Sequence, residues 1–207
     1  SQLSRQMLLH LAACLDIPLR NRNELLQMAG FTAVFHERLF REPAMSPVHH
    51  SVEIVLAALD PNPAFAMDRH WTMLAANRAV AHLVAGAESM LLRPPVNMLR
   101  LLLHPGGLAS RIVNLAQWRA HVLTRLRRQI DVTGDVALMD LLDELHGYPN
   151  PRVIGSPELD EGSGTIAIPF QLATIDGTLS VFSTTTVFAA PIDITVSELV
   201  IEAFLPA

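Results

Sequence analysis

One cysteine, Cys14, stands in a chain of 207 residues, so no internal disulfide framework is available. That scarcity suits a reducing compartment, and the protein is expected in the cytoplasm. Aromatic residues make up only 5% and charged residues 17%, while half of the chain is hydrophobic. The apolar material is therefore mostly aliphatic and methionine, enough for a substantial core with room for a flexible aliphatic guest. The net charge of −5 lacks the basic excess of a surface that grips a phosphate backbone. No apolar run approaches the roughly 20 residues of a membrane span, and the first residues lack the layout of a secretory signal. No membrane partner is expected.

Catalytic signatures are missing as well. There is no G-x-S-x-G elbow, no Walker A loop and no G-x-G-x-x-G. The nine histidines form no H-x-x-x-H or H-E-x-x-H pair, and Cys14 has no second thiol to join it. His49 and His50 are adjacent and diverge by about 100° on a helix. Neither a metal site nor a catalytic residue is expected, and the chain reads as a non-enzyme.

What is present includes "RPPVNMLRLLLHPGG", residues 93–107, a short helix framed by prolines and Pro-Gly-Gly. Asn97, Arg100 and His104 fall at i, i+3 and i+7 and share one stripe, while Leu99, Leu102 and Leu103 crowd the other faces. A cation in such surroundings needs a partner. One reading pairs Arg100 with an acid of another helix, from Glu88, Asp140 or Glu144. The other makes Arg100 a carboxylate anchor at the mouth of an apolar pocket, with Asn97 donating beside it. A tail of about a dozen methylenes would then gain on the order of 10 kcal/mol gross.

Along the chain, "SRQMLLHLAACLDIPLRNRNELLQMAGF" predicts two short helices. Ser4 caps the first, Met7, Leu8, Leu11 and Leu15 form its stripe, and Gly30 stops the second. Ser46 is expected to cap a helix that Pro47 opens and that runs to about Leu59. "AFAMDRHWTMLAAN" predicts a hairpin around Asp68-Arg69-His70, followed by helix through Leu83. A long amphipathic helix is expected from about Leu108 to Ile130, and a shorter one from Val136 to His146 with Asp135 as cap. "GTIAIPFQLATIDGTLSVFSTTTVFAA" predicts two strands around Asp176-Gly177, and Thr195-Val-Ser-Glu198 a capping box opening a last helix. The order points to an α+β fold, one antiparallel sheet with helices on one face.

Several of these stretches together resemble the MmyB-like transcription regulators. "CLDIPLRNRNELLQMAGF" resembles the junction closing their helix-turn-helix domain, and "DRHWTMLAANRAVAHL" the opening of their PAS-like domain. "NMLRLLLHPGGLASRIVNLAQW" resembles the central helices of that domain. "PRVIGSPEL" and "TIDGTLSVFSTTTVFAAPIDITVSELVIEAFLPA" resemble its last strands and final helix. The resemblance implies three parts: helices closing a truncated helix-turn-helix domain at 1–35, a linker helix at 36–62, and a PAS-like ligand-binding domain at 63–207. It implies a PAS-like antiparallel sheet covered by helices and preceded by N-terminal helices.

The implied function is ligand sensing for a one-component regulator, with DNA contacted only through the full-length protein. A fatty acid or similar apolar acid is the implied ligand, held between sheet and helices, and no other cofactor is expected. On this reading Arg100 and Asn97 hold the head group, with His104 beside them. Trp71 and Trp118 pack near the pocket, and Met67, Leu99, Leu103, Phe170 and Phe182 form its wall. A homodimer is expected. The competing reading is a constitutive dimerisation or partner-recruitment module without a physiological small ligand.

Overall fold

The computed structural model describes residues 4–149, 168–175 and 177–207. Ser4 accepts a hydrogen bond from the Met7 amide and opens α1 (Arg5–Cys14), and Pro18 precedes α2 (Leu19–Met28). This pair buries Ala12, Leu19 and Leu26, whereas Met7, Leu11 and Leu15 of the expected stripe stay largely exposed.

Five strands form one antiparallel sheet: β1 (Ala64–Met67), β2 (Met73–Ala76), β3 (Phe170–Thr174), β4 (Gly177–Val187) and β5 (Val200–Pro206). Their spatial order is β2-β1-β5-β4-β3. Both expected hairpins form, with Phe65 opposite Ala76 and Phe170 opposite Val181. The last element corrects the sequence reading. α8 (Ile194–Ser197) is a single turn, capped by Asp193 rather than Thr195, and the chain then extends into β5. β5 lies at the centre of the sheet, with Ile201 and Ala203 buried on one face and Phe204 on the other. A strand buried on both faces shows no apolar-polar alternation, which is why its sequence reads as helix.

α3 (Ser46–Ala58) packs Val52 and Leu56 against Ala64, Ala66, Ile201 and Ala203. Ser46 is its first helical residue rather than its cap, because a 3-10 turn over Pro43–Met45 leads in. The opposite face carries α4 (Ala79–Leu83), α5 (Met98–Leu103), α6 (Leu115–Thr133) and α7 (Val136–His146), packed on Phe65, Phe170, Val181 and Phe204. Helices therefore cover both faces of the sheet, not one.

α6 is shorter than its sequence stripe. Leu108 and Ile112 flank a separate 3-10 turn, and Gly134, at φ +62°, ends the helix in the left-handed conformation that glycine tolerates. The Pro-Gly-Gly before it has a steric reason. A β-carbon on Gly107 would lie 2.1 Å from the Leu101 carbonyl oxygen, so the chain turns only because that atom is missing. The fold is α+β, an antiparallel sheet covered by helices and preceded by a helix pair.

Candidate functional site

The β1–β2 connection is tightly specified. Asp68 Oδ1 accepts from the amides of His70 (2.8 Å) and Thr72 (2.9 Å), and the Asp68 carbonyl accepts from the Trp71 amide. Trp71 is held at φ +64°, a left-handed conformation unfavourable for a large side chain. Backbone of this kind persists only where surroundings over-determine it, and it gathers at functional sites. Here it swings the Trp71 indole into the interior, 6% exposed, where Nε1 donates to Gln129 Oε1 at 2.9 Å. The Arg125 guanidinium lies over the same ring, 4.9 Å from its centroid.

Beside this indole opens a cleft of about 690 Å³, within the usual range of small-molecule sites. Buried Met67, Trp71 and Leu138 give it an apolar floor together with half-buried Val200. Its rim is charged. Arg20 of α2 forms bidentate pairs with Glu37 and with Glu198, the latter at 2.7 and 2.9 Å. Glu198 also lies 3.7 Å from Arg69, which donates to Asp135 at 2.6 Å, and Asp135 lies 3.0 Å from His70 Nε2. Charges thus alternate from the N-terminal helices across the cleft to the cap of α7.

The titrations reflect these partners. Hydrogen bonds from Arg20 hold the Glu37 carboxyl below its ordinary value. Burial pushes Asp135 upward, but His70, the Ala137 amide and Arg69 together bring it below the usual aspartate range. Deeper on α6, burial lowers the His121 imidazole, with Arg125 acting in the same direction. On β5, Glu202 is 3% exposed and is held by Arg125 at 3.2 Å and by the Ser183 hydroxyl. Arg128, on the rim one turn from Arg125, has no ion-pair partner among the described residues.

Of the residues singled out from sequence, Trp71 and Met67 lie at this cleft and the others do not. Arg100 is a correction. It sits on the surface and makes a bidentate pair with Glu144 at 2.6–3.0 Å, one of the three acids considered for it, so no free cation waits there. Asn97 caps α5, accepting from the Arg100 amide and donating to the His70 carbonyl. His104 accepts from the Gly106 amide and meets Tyr148 edge-on.

Leu99, Leu103, Trp118 and Phe170 are fully buried core. Trp118, Phe170 and Phe204 stack within 5.0–6.4 Å and fill the middle of the space between sheet and helices. Phe182 is a second correction: its neighbour Val181 shares a face with Phe170, so Phe182 points to the opposite face. "PRVIGSPEL" lies outside the described residues. Arg20, Arg125 and Arg128 carry no expectation from the sequence, and Arg69 and Glu198 enter it only as hairpin-turn and capping-box residues. The available signals are Arg125 and Arg128 one turn apart on an amphipathic helix, and Glu202 inside an apolar run.

Among the described residues no three His, Cys, Asp or Glu side chains group to hold a metal, and no helix is long and apolar enough to cross a membrane.

Residues 48–207 match the family model described as the MmyB-like transcription regulator ligand binding domain. No curated protein matches the chain. Among solved structures, the PAS domain of an HTR-like protein from Haloarcula marismortui is similar at 10% identity. That likeness covers 81% of this chain and 100% of that one, with a TM-score of 0.30.

Proposed function

The chain belongs to the MmyB-like transcription regulators through their ligand-binding domain, and from that premise we propose that it senses an amphiphilic carboxylate in the cleft beside Trp71. One observation carries the reading: the cleft lies between the N-terminal helix pair and the sheet, and its rim holds the ion pairs that tie the two together. The acid of the ligand meets Arg128, which has no competing carboxylate among the described residues, while its chain lies over Met67, Trp71, Leu138 and Val200. A fatty acid has this chemistry. The aromatic plug of Trp118, Phe170 and Phe204 confines its tail to this end of the sheet.

Signalling follows from competition. A ligand carboxylate attracts Arg20 and Arg69, the two arginines that share Glu198, and so loosens the bond between α2 and the end of α8. A ligand shifts such an equilibrium only by its differential affinity for the tied and released arrangements. The ion pair at the rim supplies that difference.

The test is binding of dodecanoate and of its methyl ester to the wild type, Arg128→Gln and Arg100→Ala. Arg128→Gln is expected to weaken the acid about tenfold or more and the ester much less, since a charge-assisted contact is lost. Arg100→Ala is expected to change neither. No saturable binding of the acid to the wild type would overturn the reading and leave the dimerisation module in its place. Selective weakening by Arg100→Ala alone would return the head group to α5.

A further inference from the structure

A second cavity of about 290 Å³ opens at the other end of the same sheet face. Its walls are Leu172 of β3, Val181 of β4 and Phe204 of β5, each at most 3% exposed, with Pro63 closing one side. Arg111 and His82 stand among the lining residues, and among the described residues no aspartate or glutamate does. The cavity is thus apolar within and cationic at its edge.

Arg111, like Arg128, differs from the other arginines around the larger cleft. Arg20, Arg69 and Arg125 are each neutralised by a carboxylate. Arg111 Nη1 instead donates to the carbonyls of Ala85 (2.7 Å) and Leu83 (3.3 Å) at the end of α4. Those bonds fix the guanidinium and leave its charge unopposed, with Nε and Nη2 making no hydrogen bond among the described residues. A cation fixed in advance beside an apolar hollow binds an anion without first losing an internal partner.

We propose that this cavity is a separate binding site for a small apolar monocarboxylate, an aromatic or short-chain acid. The size sets the class. At about 30 Å³ for each water-sized group, the hollow holds roughly ten heavy atoms, the size of benzoate or octanoate. The site is independent of the cleft beside Trp71. Phe204, Phe170 and Trp118 stand between the two, so occupancy of one does not require the other.

The experiment titrates benzoate, and benzamide as its neutral counterpart, into the 207-residue chain with ligand-observed NMR. Wild type, Arg111→Gln, Ala79→Met and Arg128→Gln are compared. Arg111→Gln is expected to weaken benzoate about tenfold or more and leave benzamide nearly unchanged. Ala79→Met, which pushes side-chain volume into the cavity, is expected to weaken both. Arg128→Gln is expected to weaken neither, so loss of the larger site reads differently from loss of this one. The proposal is overturned if benzoate shows no saturable binding, if Arg111→Gln weakens both compounds equally, or if Arg128→Gln alone abolishes binding. If Arg111→Gln fails to fold, Ala79→Met decides: benzoate bound as tightly as in the wild type overturns the proposal.

Discussion

At the scale of single residues, two arginines set among apolar neighbours end in opposite environments. Arg100 sits among leucines, yet its guanidinium is exposed and paired with Glu144. Arg119 lies on the apolar stripe of α6, between Leu115 and Val122, is only 6% exposed and has no ion-pair partner among the described residues. Its Nη2 donates to the carbonyls of Leu145 (2.6 Å) and His146 (3.5 Å), at the negative pole of α7. Nη1 is buried with no partner among the described residues, and burial lowers the pKa of the group. The cation in the core is therefore a helix cap. Arg100→Ala is expected to change stability by about 0–1 kcal/mol, as for exposed pairs. Arg119→Ala removes charge-assisted bonds from a buried helix end and is expected to lose about 1.5–3 kcal/mol. Urea unfolding of both variants checks the ranking, and an equal or greater loss for Arg100→Ala contradicts it.

Among the elements, β5 determines how much of the molecule could be read in advance. Hairpins and capped helices are local, so Asp135 as the cap of α7, the β1–β2 turn and the β3–β4 pair are legible from neighbouring residues. β5 is not. It pairs with β1 and β4, and its character comes from strands distant in sequence. The candidate site shares that obscurity, because Arg20, Arg69, Arg125 and Glu198 meet only once β5 and α8 are in place. Trp71 and Met67 were legible because their hairpin is local.

Glu202 concentrates the issue in one side chain of that strand: an acid in the centre of a sheet, bonded to Arg125 of α6 and Ser183 of β4. Glu202→Ala strands a partly buried arginine and is expected to lose about 3 kcal/mol. The double variant Glu202→Leu with Arg125→Met removes both charges and is expected to recover most of that loss. A double-mutant cycle checks this, and strictly additive losses would show that the pair does not couple β5 to α6.

For the whole molecule, the question is what joins the N-terminal helices to the sheet. Their buried residues Ala12, Leu19 and Leu26 belong to neither of the two main cores. The connection is largely polar: Arg20 to Glu198, Arg38 to Asp193, and the Thr195 side chain to the backbone of Arg38. Such a junction responds to pH where a packed core would not. Glu37 at this junction, and Asp135 and Glu144 elsewhere, have folded-state pKa values below their unfolded ones, so the stability they contribute is complete above about pH 5 and is lost as pH falls through the carboxylate range. His121 is lowered below its ordinary 6.5 by burial, so the unfolded chain binds its proton first and stability falls as pH drops below that value.

Both effects have the same sign, and thermal melts at pH 8, 6, 5 and 4 are expected to show stability falling on acidification, first through His121 and then through the carboxylates. His121→Gln should flatten the upper limb and Glu37→Gln part of the lower one. Hydrogen exchange at pH 4 should release α2 before the sheet, because Glu37 is one of the two acids that hold Arg20. Simultaneous release of α2 and the sheet would mean that the helix pair is held by more than its charges, and the ligand-linked loosening proposed for it would then lack a hinge.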